Sequence, residues 1–255
     1  MVHLKTAPHI DAMREAGRVV AQAHVAVREA AAVGVSLRAL DVIAHDVLRA
    51  AGASSPFLNY RPAFAATPFP AVLCTSVNDA IVHGIPTDYR LRDGDLLSAD
   101  FGAVLNGWAG DAAISFTVGK ARPADTRLID TAYAALDAGI AAAVPGNRIG
   151  DIAHAIGRVC RGAGYGIPAG FGGHGIGRAM HEDPAVPNEG RPGRGMQLRP
   201  GMVIAIEPML IASGKDAYYE AEDGWTLCTS DGSRAAHAEH TVAVTEDGPR
   251  ILTAI

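Results

Sequence analysis

Asn106-Gly107 lies between two apolar runs, LSADFGAVL and WAGDAAISF. Asn and Gly reach positive φ cheaply, so this dipeptide predicts a two-residue hairpin. With Leu105 facing Trp108, the pairing places Asp100 opposite Ala113 and Asp111 opposite Gly102. Side chains alternate along a strand, which puts both aspartates on one face as diagonal neighbours. Carboxylates held that close repel unless one is protonated or a cation lies between them, and a hard divalent ion is the usual cation. Two solvated aspartates on an open face are the alternative, and the hairpin alone does not choose.

The chain has 255 residues, 49% of them hydrophobic, enough for a buried core in one large domain or two small ones. Its 22 basic and 27 acidic side chains give a net charge of −5. No Lys/Arg run forms a patch for a phosphate backbone, so nucleic acid is not an expected partner. The start, MVHLKTAPHIDAMREAG, has no apolar signal-peptide core, and no stretch approaches about 18 uninterrupted apolar residues. A cytoplasmic protein without membrane association is expected. Cys74, Cys160 and Cys228 lack C-x-x-C spacing, which argues against a disulfide framework or thiolate zinc site and for small buried hydrophobes. No exposed heptad stands out, and a monomer is expected.

Helical periodicity runs over 8–32, with Thr6 as N-cap and Gly34 beyond the end, then from Ser36 to Gly52. Residues 53–70 read as a long irregular loop, and AVLCTSVNDAIVHGIP as strand, turn at Asn78-Asp79, and strand. After the hairpin a second helix pair is predicted from Thr126 to Val144 and from Ile149 to Ala163. A shift of 112 positions aligns Gly34, Leu37, Leu40, Val47, Arg49 and Gly52 with Gly146, Ile149, Ile152, Val159, Arg161 and Gly164. A duplicated unit would form one domain over 1–255, with pseudo-symmetric halves of about 1–122 and 123–255 sharing a centre. Helix pairs alternating with antiparallel strands give an α+β fold.

Beyond the two aspartates, VIAIEPML and AEHTVAV place Glu207 and Glu239 in segments that a core would bury. A buried carboxylate needs a cation, a proton or several donors. His174 lies among glycines that admit close backbone approach. Asp100, Asp111, His174, Glu207 and Glu239 are thus the candidate metal set. Gly170, Gly172 and Gly175 also satisfy G-x-G-x-x-G, but this run follows a helix and leads to Pro184 and Pro187, the wrong context for a dinucleotide fingerprint.

SVNDAIVHGIP, DFG with GDAAISFTVG downstream, GHGIGRAMHEDP, RPGMVIAIEPM, DGWT and AEHTVAVT, in that order, resemble the type I methionine aminopeptidases, of the pita-bread fold within metallopeptidase family M24. The resemblance spans about Met13 to Leu252. It implies a pseudo-two-fold antiparallel sheet flanked by two helix pairs, and removal of the N-terminal methionine from peptides and nascent proteins, with a small second residue preferred. It implies two divalent ions, Co, Mn, Fe or Zn, on Asp100, Asp111, His174, Glu207 and Glu239, with Asp111 and Glu239 bridging. Glu207 would shuttle the proton, His181 would polarise the scissile carbonyl, and His83 would bond the peptide nitrogen. Tyr60, Phe69, Cys74 and Trp225 would line the methionine pocket, with Met180 beside His181. Transient contact with the ribosome would follow from the substrate.

The sequence departs from these relatives in places. The Arg61–Thr67 loop looks longer, Phe69 stands where Tyr is common, and Met180 where an aromatic is expected. Gly102, Ala109, Ala112 and Ala113 replace polar residues, and His237-Ala238 replaces a Gln-aromatic pair. Polar neighbours orient metal ligands, so these exchanges predict weaker metal retention, and the pocket exchanges an altered residue preference. Two alternatives remain: an enzyme of the same fold acting on X-Pro peptides, whose relatives usually carry a further N-terminal domain, and a non-catalytic binding protein, a class in which ligands are typically lost.

Overall fold

The computed structural model describes residues 2–62 and 65–254. Residues 63 and 64, within the Arg61–Thr67 loop, lie outside the described residues. Two helix pairs, α1 (Ala7–Ala30) with α2 (Leu37–Ala51) and α3 (Pro123–Ala142) with α4 (Ile149–Gly162), pack against a curved antiparallel sheet. The ends of α2 follow from its sequence. Ser36 Oγ accepts the Ala39 N–H at 3.2 Å, and Gly52 closes the helix at φ 63°. Between them Leu37, Leu40, Ala44 and Leu48 form the buried stripe.

The third helix starts at Pro123, ahead of the expected Thr126. Proline at a first helical turn loses no hydrogen bond, because that N–H has no partner within the helix. Asp125 in this turn is buried beneath two guanidinium groups, Arg122 at 2.8 Å and Arg234 at 2.7 Å. That ion pair ties α3 to the distant strand region and is invisible to periodicity.

The main sheet contains β1 (Leu73–Val77), β3 (Leu96–Leu105), β4 (Trp108–Thr117), β5 (Gly172–Gly175), β6 (Glu182–Pro187), β7 (Val203–Ile206), β12 (Glu239–Thr245) and β13 (Gly248–Ile251). Its order is β1-β3-β4-β12-β7-β5-β6, with β13 on β12. Smaller sheets join β2 (Ala80–Val82), β10 (Leu227–Thr229) and β9 (Tyr218–Glu220), and pair β11 (Ala235–His237) with β8 (Met209–Ile211).

In the β3–β4 hairpin Leu105 faces Trp108, Asp100 faces Ala113 and Gly102 faces Asp111, the register expected from the Asn-Gly turn. Asn106 and Gly107 have φ of 51° and 75°, as that turn requires. Alternation then divides the strands. Phe101, Ala103 and Ala112 join Val20, Leu40 and Leu73 beneath α1 and α2, while Asp100 and Asp111 point the other way. Ile204, Ile206 and Val242 pack likewise with Leu136 and Ile152 of α3 and α4. Each such aliphatic side chain contributes about 1.5–3 kcal/mol by leaving water, enough to fix which face of the sheet carries the acids.

Candidate metal centre

Five adjacent strands of the sheet deliver the acids and the histidine. Asp100 lies on β3, Asp111 on β4, Glu239 at the start of β12, Glu207 just after β7, and His174 on β5. Ala113 pairs with Asp100 on one side and with Glu239 on the other. Ala113 thus sits between the two carboxylate-bearing strands. Thr241 Oγ1 clamps Asp111 by accepting its N–H at 3.0 Å and donating to its carbonyl at 2.8 Å.

The side chains converge. His174 Nε2 stands 3.9 Å from Asp111 Oδ2 and 3.7 Å from Glu207 Oε1, while Asp111, His174 and Glu239 each present a ligand atom within 4.8 Å of the others. Asp100 Oδ1, Asp111 Oδ1 and Glu239 Oε1 are buried without a hydrogen-bond partner. Orphaned carboxylate oxygens this deep are costly, and a divalent cation satisfies them all at once. The donor set fits a divalent metal. Carboxylates with one or two imidazoles suit several first-row ions and do not select among them.

Electrostatics agree with the geometry. Burial pushes the Asp100 carboxyl up to about 7 and the Glu207 carboxyl up to about 8. Asp111 and Glu239 lie well above the usual carboxylate range, through burial first and then through acidic neighbours, Asp100 and Glu207 for Asp111, and Asp111, Glu207 and Asp100 for Glu239. His174 is lowered to about 4 by burial and by His181. Without cations, the site therefore favours protonated over ionised carboxyls and neutral over charged imidazoles.

Over the acids opens a cavity of about 250 Å³. Tyr60, Phe69, Cys74, Trp225, His83 and His181 all line it, as does Met180. His83 follows β2 at φ 60°, its ring 6.3 Å from Trp225 and 6.1 Å from Phe171. Burial lowers its pKa to about 4, leaving a neutral imidazole. His181 stacks on Tyr60, whose hydroxyl meets its Nδ1 at 3.2 Å, and its centroid is 4.3 Å from that of His174. Phe69 packs edge-on against Trp225 at 5.2 Å, and Trp225 Nε1 donates to the Thr67 carbonyl at 3.1 Å.

Phe57, Phe171 and Met209 also line the cavity, although nothing in their sequence context distinguishes them from other apolar residues. Gly102 has a steric role. A Cβ there would stand 2.7 Å from Pro56 Cγ and 3.1 Å from Phe57 Cε1, so its bareness admits the 53–70 loop over the sheet. His237 comes within 3.5 Å of Glu207 and 3.8 Å of Glu239; its residue type was the available signal, but its neighbours depend on strand pairing. Cys74 and Cys160 are buried as expected, whereas Cys228 on β10 is only partly covered, its cross-strand partner being the exposed Tyr219 of β9.

Residues 11–246 match the model of metallopeptidase family M24. A methionine aminopeptidase 1 of Mycobacterium tuberculosis is 53% identical over 260 residues, covering 99% of this chain and 95% of that protein. The crystal structure of a methionine aminopeptidase from Thermotoga maritima superposes with a TM-score of 0.95 at 37% identity, covering 100% of both chains. A prolidase from Pyrococcus furiosus shares the fold, with a TM-score of 0.77 at 23% identity, but the match covers 99% of this chain and only 65% of that one.

Proposed function

The chain belongs to metallopeptidase family M24, and we propose that it removes the N-terminal methionine from peptides and nascent proteins by metal-dependent hydrolysis of the first peptide bond, with a small second residue preferred. The observation that carries this reading is the set of buried, unpartnered carboxylate oxygens on the floor of an apolar, aromatic-lined cavity. Such a cavity suits one unbranched apolar side chain.

Asp100, Asp111, His174, Glu207 and Glu239 would hold two divalent ions. Bound there, such ions supply Lewis acidity, activating a water and polarising the carbonyl of the scissile bond. The protein's own groups do the rest. Glu207 faces the cavity beside the cluster, where a carboxylate can take a proton from the attacking water and pass it to the departing amine. His181 donates toward the carbonyl oxygen, with Tyr60 holding its ring, and His83 meets the peptide nitrogen. Tyr60, Phe69, Cys74 and Trp225 enclose the methionine side chain and exclude water. In this reading the whole chain is one catalytic domain, a cytoplasmic monomer that meets its substrates as they leave the ribosome. Among the described residues no helix is long and apolar enough to cross a membrane.

Release of methionine from Met-Ala-Ser, compared with peptides cleaved before proline, tests the proposal with and without added Mn, Co or Fe. Metal-dependent release by the wild type and its loss in Glu207→Ala are expected. Cleavage confined to X-Pro peptides would move the chain to the prolidase activity, and absence of any metal-dependent cleavage would leave a binding protein.

A further inference from the structure

His237 ends β11, beneath the acids and outside the group of residues that face the cavity. Its backbone is fixed at both ends of the residue: its N–H donates to Ser115 Oγ at 3.0 Å, and its carbonyl accepts from the same oxygen at 2.7 Å. Ser98 Oγ lies 2.7 Å behind Ser115. The residue is buried. Its Nε2 is buried without a hydrogen-bond partner, aimed between Glu207 Oε2 at 3.5 Å and Glu239 Oε2 at 3.8 Å. Glu207 turns its other oxygen, Oε1, toward His174.

We propose that His237 is a positioning residue for the metal site: its Nε2–H donates to the outer oxygens of Glu207 and Glu239, and so fixes the direction in which both carboxylates present their inner oxygens to cations. The inference rests on the metallopeptidase reading above. A buried donor without an acceptor is costly, and closing a gap of roughly half an ångström to either carboxylate oxygen satisfies it. The same contact supplies a polar neighbour at the position where the relatives carry a Gln, and offsets there the loss that the exchange alone would predict.

The test compares wild type, His237→Gln and His237→Leu, with Mn(II) and Co(II) affinities read by calorimetry on metal-stripped protein and with the visible absorption of the Co(II) forms. The amide of Gln keeps an N–H donor without the imidazole, and Leu fills similar space with none. His237→Gln should retain affinity to within about threefold and leave the Co(II) spectrum unchanged, while His237→Leu should lose roughly 10- to 100-fold. Equal affinity of His237→Leu and wild type would overturn the proposal. So would a His237→Gln protein with a changed Co(II) spectrum, since the ring would then be a ligand. Should His237→Leu fail to fold, His237→Met, which likewise fills the space without a donor, takes its place, with the same loss of roughly 10- to 100-fold expected and wild-type affinity overturning the proposal. Wild-type protein that binds neither metal would instead sink the underlying metallopeptidase reading.

Discussion

Asp100 and Glu207 show what a metal-free site costs. Their carboxyls are raised to about 7 and about 8 because burial disfavours the charge, so near neutrality the folded metal-free protein binds more protons than the unfolded chain. Stability must then fall as pH rises through that range. The lowered histidines, His83 and His174 at about 4, act with the opposite sign, but only below the unfolded histidine value of about 6.5. The urea midpoint of chelator-treated protein should therefore drop between pH 7 and pH 9, and saturating Mn(II) should abolish the drop by keeping the carboxylates ionised. A midpoint independent of pH in the stripped protein would count against this account. At this scale the sequence was informative: two aspartates on one hairpin face and glutamates in apolar strands already implied buried charge in need of a partner. His237 was legible as an exchanged neighbour of Glu239, but which carboxylates its ring faces was not, because that depends on the pairing of β11 with β8, opposite Met209, and on the clasp of Ser115.

Elements were legible where local chemistry decides them. The β3–β4 register follows from Asn106-Gly107, and both ends of α2 follow from Ser36 and Gly52. The 53–70 loop could be recognised as irregular, but not placed, since its position depends on a bare patch of strand far along the chain. Gly102 supplies that patch, with Pro56 and Phe57 resting where a side chain would stand. Gly102→Ala should push this loop outward and with it Phe57 and Tyr60. Overpacking of this kind costs about 1–3 kcal/mol, readable as a lower urea midpoint, and the larger effect should be a several-fold rise in KM for methionyl peptides with a smaller change in kcat. An unaltered KM, measured at equal metal content, would show that the loop does not shape the cavity. Gly102 thus exchanges a polar group near Asp111 for a wall of the pocket, an exchange intelligible only once the loop is in place.

Across the whole molecule, the halves suggested by the 112-residue shift bury separate clusters beneath their own helix pairs, one with Leu40 and Phe101, the other with Ile152 and Ile204. They meet in the main sheet where β4 pairs with β12, and that ladder is short: Glu239 opposite Ala113 and His240 opposite Ala112. Asp100 and Asp111 come from one side of this seam, and His174, Glu207 and Glu239 from the other. Cations bound by all of them would bridge the seam beside the Thr241 clasp on Asp111. Metal at a hundredfold excess over its Kd stabilises the folded state by about 2.7 kcal/mol, roughly 5–10 °C in Tm for a chain of this size. The location of the effect discriminates more sharply than its size. If the ions act as a clasp between the halves, hydrogen exchange at the backbone amides of 110–115 and 237–242 should slow on adding Mn(II) far more than exchange within α2 or α4, whose packing does not cross the seam. Protection gained evenly over the chain would instead mean that metal stabilises one cooperative unit with no weak joint.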